Sequence, residues 1–186
     1  KGLDARTQSE LGQHFTPIAA AQLIASMPRL PASGTLRVLD PGAGSGVLTA
    51  ALASRVLAEQ PELSIEIVAV ECDPVVLPNL QATLSACERA GGGRVRTEII
   101  EADFILDTVG LGASLNLDGQ FDLVIENPPY GKLAVSSTRR AAMRAAGIDV
   151  PNLYAAFLSL SVTALREGGQ VVAITPRSFF NGPYFG

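Results

Sequence analysis

Four adjacent residues, Asn127-Pro128-Pro129-Tyr130, place a carboxamide, two imino acids and a phenol directly after residues 121–126. Pro128 and Pro129 remove backbone donors and stiffen the chain, which leaves the Asn127 amide oxygen and the Pro128 carbonyl as fixed acceptors. Such a pair can receive both hydrogens of a planar amino group and raise the electron density on its nitrogen. Tyr130 would offer a stacking face to the ring that carries the amine. The same tetrapeptide could form only a rigid turn; the acids upstream argue for more.

Asp40-Pro41-Gly42-Ala43-Gly44-Ser45-Gly46 leads into an Ala/Leu-rich run. Gly42, Gly44 and Gly46, with the small Ala43, permit a tight turn and close approach of a ligand to the backbone, and a following helix would add free amides. Asp40 would repel a pyrophosphate and attract an ammonium group, which favours an aminoacyl ligand over a dinucleotide. Glu71, followed by Cys72 and Asp73, stands 31 residues after Asp40, beyond the usual spacing of about 20 for a ribose-binding acid. The turn at Pro61 can absorb the difference. Asp103 with Phe104 would then bring a carboxylate acceptor and an aromatic face to the same crevice. Three successive acids of this kind describe a pocket for a ribose, a base amine and a cationic tail.

These residues need strands to end where they begin. Short β-branched runs at 36–39, 65–70, 95–100, 121–125 and 170–174 alternate with helical stretches at 17–27, 46–59, 74–89 and 153–166. Turn clusters such as Gly91-Gly92-Gly93 and Glu167-Gly168-Gly169 separate them. Alternation of this kind predicts an α/β fold with a Rossmann-like, doubly wound, mostly parallel sheet. Ligands then sit beyond the carboxyl ends of the strands, near the point where strand order reverses. The stretch 131–150, with Arg139, Arg140 and Arg144, is long for a connection and reads as a lid or substrate-facing segment, or else a solvated surface helix.

Composition narrows the class. The 186 residues are 47% apolar and 17% charged, enough to bury the core of one domain, and apolar runs stop short of the roughly 20 residues of a membrane span. A cytoplasmic location and no membrane partner are expected. Two cysteines and one histidine make neither a disulfide framework nor a zinc ligand set, so no metal is expected. A net charge of -4 has the wrong sign for a stand-alone nucleic-acid binder, so any DNA would be held by a local basic patch or another domain. His14 beside the N-terminal motif reads as a structural or surface residue rather than a general base. The aromatics Phe179, Phe180, Tyr184 and Phe185 crowd the last eight residues, suggesting packing against a segment beyond the chain.

From Gly12-Gln13-His14-Phe15-Thr16-Pro17 through the Gly-rich turn to Asn127-Pro128-Pro129-Tyr130, the chain resembles adenine-specific DNA methyltransferases of restriction-modification systems. The resemblance implies a class I S-adenosylmethionine-dependent methyltransferase fold, incomplete at the C-terminus, with S-adenosyl-L-methionine as cofactor. It also implies that Phe15, Thr16 and Pro17 wrap the methionine side and that the 40–46 turn lies under it. Glu71, with Cys72 beside it, would meet the ribose. Asp103, Phe104 and Phe157 would surround the adenine, although an aromatic on an apolar helix face such as Phe157 is also ordinary core.

The motif order resembles the class whose target-recognition region follows the catalytic domain. Residues 1–186 then read as a cofactor-binding catalytic domain without that region. The implied partner is double-stranded DNA, held through the missing region and by Arg139, Arg140 and Arg144. The implied reaction is direct transfer of a methyl group to the exocyclic N6 amine of a flipped-out adenine, with Asn127, Pro128, Pro129 and Tyr130 as the catalytic element. No cysteine lies in a Pro-Cys element after the fourth strand, so a thiol nucleophile is unsupported. Rivals are a protein glutamine-amide methyltransferase, against which the N-terminal motif argues, an RNA adenine methyltransferase, and a non-enzymatic specificity module.

Overall fold

The computed structural model describes residues 16–176; the readings on His14, Phe15 and the C-terminal aromatics lie outside them. Eleven elements are described: α1 (Ile18–Ser26), β1 (Ser33–Pro41), α2 (Val47–Glu59), β2 (Glu62–Glu71), α3 (Leu77–Gly91), β3 (Val95–Glu101), α4 (Phe104–Val109), β4 (Phe121–Glu126), α5 (Thr138–Ala145), α6 (Leu153–Ala164) and β5 (Leu165–Ala173). The five strands pair in parallel in the order β3-β2-β1-β4-β5. Strand order reverses between β1 and β4, so the turn after Asp40 and the element after Glu126 emerge side by side at the carboxyl edge.

The two-residue period of the strands supplies both faces. Leu36 and Val38 of β1, with Leu123 and Ile125 of β4, enter one core with Ala21, Leu52 and Val56 from α1 and α2. Leu39 and Val124 point the other way, into a core with Ile105, Met143, Phe157 and Leu160 from α4, α5 and α6. Helices on both faces explain why all six residues of β4 are buried, its two acids Asp122 and Glu126 included.

Three expectations are corrected. The Glu167-Gly168-Gly169 turn does not precede the last strand but lies within β5, where Phe121 pairs with Leu165 and Leu123 with Gln170. The extra residues loop out at Gly168, whose φ is +77°. α3 starts at Leu77 rather than 74, because Asp73 accepts the Val75 amide and turns the chain first. The connection between β3 and β4, left without an element, holds the short helix α4, and the stretch 131–150, read as a lid or a surface helix, holds α5; Asp103 caps the first and Ser137 the second. The excursion between β4 and α6 is pinned at its two ends by an antiparallel bridge between Lys132 and Asn152.

Candidate active site

The carboxyl ends of β1, β2, β3 and β4 enclose a cleft of about 330 Å³, within the range of small-molecule sites. Thr16, Asp40, Gly42, Ala43, Gly44, Glu71, Cys72, Asp103, Phe104, Asn127, Pro129 and Phe157 line it. The structure thus gathers most of the residues singled out in the sequence, across 141 positions of chain from Thr16 to Phe157. Pro17, Gly46, Pro128 and Tyr130 do not line it.

Two glycines of the turn serve different contacts. Gly42 has φ +67°, and a Cβ there would stand 3.1 Å from Phe157 Cε1, so its absence lets the aromatic close over the turn. Phe157 in turn meets Phe104 at 5.0 Å between ring centroids, and is both core and cleft wall. Gly46 faces away from the cleft: a Cβ would meet Leu80 Cδ1 at 2.9 Å, so this glycine brings α2 against α3.

The carboxylates are busier than spacing alone shows. Glu71 Oε1 accepts the amides of Cys72 and Asp73, and Oε2 accepts the Gly44 amide, each at 2.8 Å. Asp103 Oδ1 accepts the Ile105 and Leu106 amides, while Oδ2 binds Arg139 Nε at 2.7 Å and Nη2 at 2.5 Å. The lid-like stretch therefore does reach the cleft, through Arg139. Arg140 and Arg144 instead converge on Asp149 Oδ1 at 2.5 and 3.2 Å, which holds that carboxyl below its usual range. All three arginines, expected to hold DNA, are thus paired with carboxylates of the chain itself.

Asp40 is buried and accepts the Thr49 hydroxyl at 2.6 Å. Burial pushes its carboxyl up to about 7 against the pull of Thr49, with Glu71 adding repulsion. Beneath it Glu126, fully buried, binds Ser161 at 3.1 Å through Oε2, while Oε1 meets no hydrogen-bonding partner among the described residues. Burial raises Glu126 to about 8. Motif spacing does not single out Glu126, although an acid at the end of a largely apolar strand, next to Asn127, is a signal in itself. Asp73 and Leu153 likewise line the cleft without having been expected there, and Ser45 does so from within the 40–46 turn.

Asn127 spans the mouth. Its Nδ2 donates to Thr16 Oγ1 at 3.0 Å, and its Oδ1 accepts from the Tyr130 hydroxyl at 3.1 Å. Burial raises the Tyr130 phenol above its ordinary value. Among the described residues, the cleft wall carries four carboxyl groups, Asp40, Glu71, Asp73 and Asp103, against the single guanidinium of Arg139. That balance suits a ligand carrying positive charge. Among the described residues, no cluster of three His, Cys, Asp or Glu could hold a metal, and no helix is long and apolar enough to cross a membrane.

A parallel sheet of this order, flanked by helices and with its cleft at the switch point, is the class I S-adenosylmethionine-dependent methyltransferase fold. A solved structure from Listeria monocytogenes assigned to that class superposes with a TM-score of 0.69 at 13% identity, over 99% of this chain and 51% of its own. Residues 86–185, more than half of the chain, match the family model described as Eco57I restriction-modification methylase, and the chain belongs to that family. Type II methyltransferases M.PstI from Providencia stuartii and M.BsuBI from Bacillus subtilis are 39% and 38% identical, over 98% and 97% of this chain. The chain spans 36% of the length of each. It is also 30% identical to the tRNA1(Val) (adenine(37)-N6)-methyltransferase of Escherichia coli, over 82% of this chain and 56% of that protein.

Proposed function

We propose that this chain is the cofactor-binding and catalytic part of a cytoplasmic DNA methyltransferase that modifies the exocyclic N6 amine of a flipped-out adenine, within a restriction-modification system. Double-stranded DNA would be held largely by a target-recognition region outside residues 1–186. The observation that carries the reading is the position of Asn127 at the switch point, beside a buried acidic cleft lined by Asp40 and Glu71.

The donor set fits S-adenosylmethionine, which supplies an electrophilic methyl group on a sulfonium when bound. Asp40 would meet the ammonium, and that cation would restore the charge burial suppresses. Glu71 would offer the ribose its remaining acceptor capacity, since three backbone amides already occupy it. Phe104 and Phe157 would flank the adenine, with Cys72 beside it. Asp103 would reach the base amine only by sharing or exchanging its bonds to Arg139.

On the acceptor side, flipping a base out of the duplex costs a few kcal/mol, and stacking on Tyr130 would return about 1–3 kcal/mol. Asn127 Oδ1 and the Pro128 carbonyl would accept the two amine hydrogens. They would orient the nitrogen and stabilise the positive charge that develops on it.

The test is calorimetric titration with S-adenosylmethionine, then methyl transfer by the intact protein to duplex DNA with the products identified as nucleosides. N6-methyladenine in DNA is expected. The 30% identity to a tRNA adenine methyltransferase supports RNA as a second reading, and transfer to RNA alone would replace the first.

A further inference from the structure

We propose that Arg139 is a specificity residue for the cofactor, donating from its guanidinium to ring nitrogens of the adenine, and that Asp103 is the positioning group that aims it. The inference rests on the reading of the cleft as an S-adenosylmethionine site and concerns which side chain meets the base.

A carboxylate offers about four lone-pair sites, and those of Asp103 are all taken. Oδ1 accepts the Ile105 and Leu106 amides at 3.0 Å each, which starts α4. Oδ2 accepts Arg139 Nε at 2.7 Å and Nη2 at 2.5 Å. The Asp103 side chain is only 19% exposed. Replacing Arg139 by the neutral amine of a base would exchange two charge-assisted bonds for a weaker one and leave a largely buried carboxylate without its counter-ion. The ion pair therefore outlasts ligand entry, and Asp103 has no acceptor capacity left for the base amine. Arg139 does have capacity left: a guanidinium carries five N–H donors, and among the described residues only Asp103 accepts from it. Its side chain is 42% exposed and lines the cleft with Phe104 and Phe157, whose rings meet at 5.0 Å between centroids. Aromatic walls suit the faces of a planar base, and N–H donors suit the acceptor nitrogens on its edge. α5 is fixed well enough to aim the group: Ser137 caps it, Met143 is fully buried, and Arg140 and Arg144 close on Asp149. Arg139, one position before Arg140 and so about 100° away round the helix, turns to the cleft. Asp103 thereby has a task different from the direct contact with the adenine that the family resemblance implies.

Calorimetry on the intact protein tests this with S-adenosylhomocysteine and with analogues altered only in the base. Arg139→Ala should bind the parent compound at least about tenfold more weakly than wild type does. Among analogues that each lack one ring nitrogen, the one missing the contacted nitrogen should bind wild type about tenfold more weakly than the parent compound does. In Arg139→Ala the same analogue should stay within about threefold of the parent. Asp103→Asn keeps an oxygen for the α4 cap but turns an N–H donor toward the guanidinium. It should also lose about tenfold in affinity, and by the same factor for the parent compound and for the analogue lacking the 6-amino group. These ratios compare ligands within one variant, so a general loss of folding does not produce them. Arg139→Ala binding as tightly as wild type would show that Arg139 only occupies Asp103, and would overturn the inference. So would ring-nitrogen penalties equal in wild type and Arg139→Ala, or an Asp103→Asn loss that vanishes when the 6-amino group is absent. Absence of any binding by the wild type would instead overturn the cofactor reading itself, and this inference with it.

Discussion

The backbone amide of Gly44 donates to Oε2 of Glu71 at 2.8 Å, so the end of β2 holds down the turn that follows β1. Gly42 and Ala43 make the matching bonds to the Val70 carbonyl, at 2.8 and 3.0 Å. The acid at the second strand end is thus part of the cleft's construction before it is a ligand contact.

Glu71→Ala should therefore lose stability as well as binding. Three amides lose a charged acceptor, for a cost of about 2–3 kcal/mol, or a fall in melting temperature of roughly 5–10 °C for a chain of this size. Calorimetry should show S-adenosylmethionine affinity reduced more than tenfold. A variant that binds weakly but melts with wild type would assign Glu71 to the ligand alone.

Cofactor affinity should depend on pH through Asp40. Its carboxyl titrates at about 7 in the ligand-free protein, and a ligand ammonium prefers the ionised form. Affinity should rise with pH, by up to about tenfold per unit below pH 7, and level off above it. Asp40→Asn should bind weakly with little pH dependence over the same range. Titrations at pH 5.5, 6.5 and 7.5 decide the matter.

Glu126 should make the folded state less stable as pH rises. Its pKa is about 8 folded against 4.5 ordinarily, so between these values the folded chain holds the extra proton. Unfolding free energy then falls with rising pH across that window and is flat beyond it, with a ceiling of roughly 4–5 kcal/mol. Glu126→Gln, which keeps an acceptor for Ser161, should melt progressively higher than wild type from pH 5 to pH 8.5. A difference that does not grow with pH would show that the buried carboxyl is ionised throughout.

Gly42→Ala and Gly44→Ala separate strain from contact. Both residues have positive φ, +67° and +56°, but an added Cβ meets Phe157 only at position 42; at 44 nothing lies within 4 Å. Each should cost about 1–2 kcal/mol for the left-handed backbone. Gly42→Ala alone should also displace Phe157 and lower cofactor affinity, on the order of tenfold, in the same titration.

Asn127→Ala should leave cofactor affinity within a few-fold of wild type and reduce methyl transfer by more than a hundredfold, about 3 kcal/mol of lost stabilisation. Tyr130→Ala should weaken base flipping more than cofactor binding, read from 2-aminopurine fluorescence at the target position. Retained turnover in the first, or equal losses in the second, would remove these residues from their assigned roles.

Hydrophobic periodicity and turn chemistry are local, so the parallel α/β order is legible in the residue pattern of positions 33–176. Strand cores at 65–70, 95–100 and 121–125 lie within β2, β3 and β4. α4 and α5 escape that reading because helices of six and eight residues carry too few turns to show a period. Their capping residues, Asp103 and Ser137, are the signals that mark them. Motif spacing assigns Asp103 to a ligand, although an acid before an apolar run is also a helix N-cap.

The chain's sequence by itself determined which chemical groups stand at the strand ends, because each lies within two residues of the end of its own strand: Asp40, Glu71, Asp103 and Asn127. Only the tertiary structure decided how those groups spend their hydrogen-bonding capacity. Glu71 bonds Gly44 across 27 positions, Arg139 bonds Asp103 across 36, and Asn127 bonds Thr16 across 111. Such pairings depend on the strand order β3-β2-β1-β4-β5 and on where the lid-like excursion folds back. A hydrogen bond is made or lost over less than an ångström, so motif spacing along the chain cannot specify it.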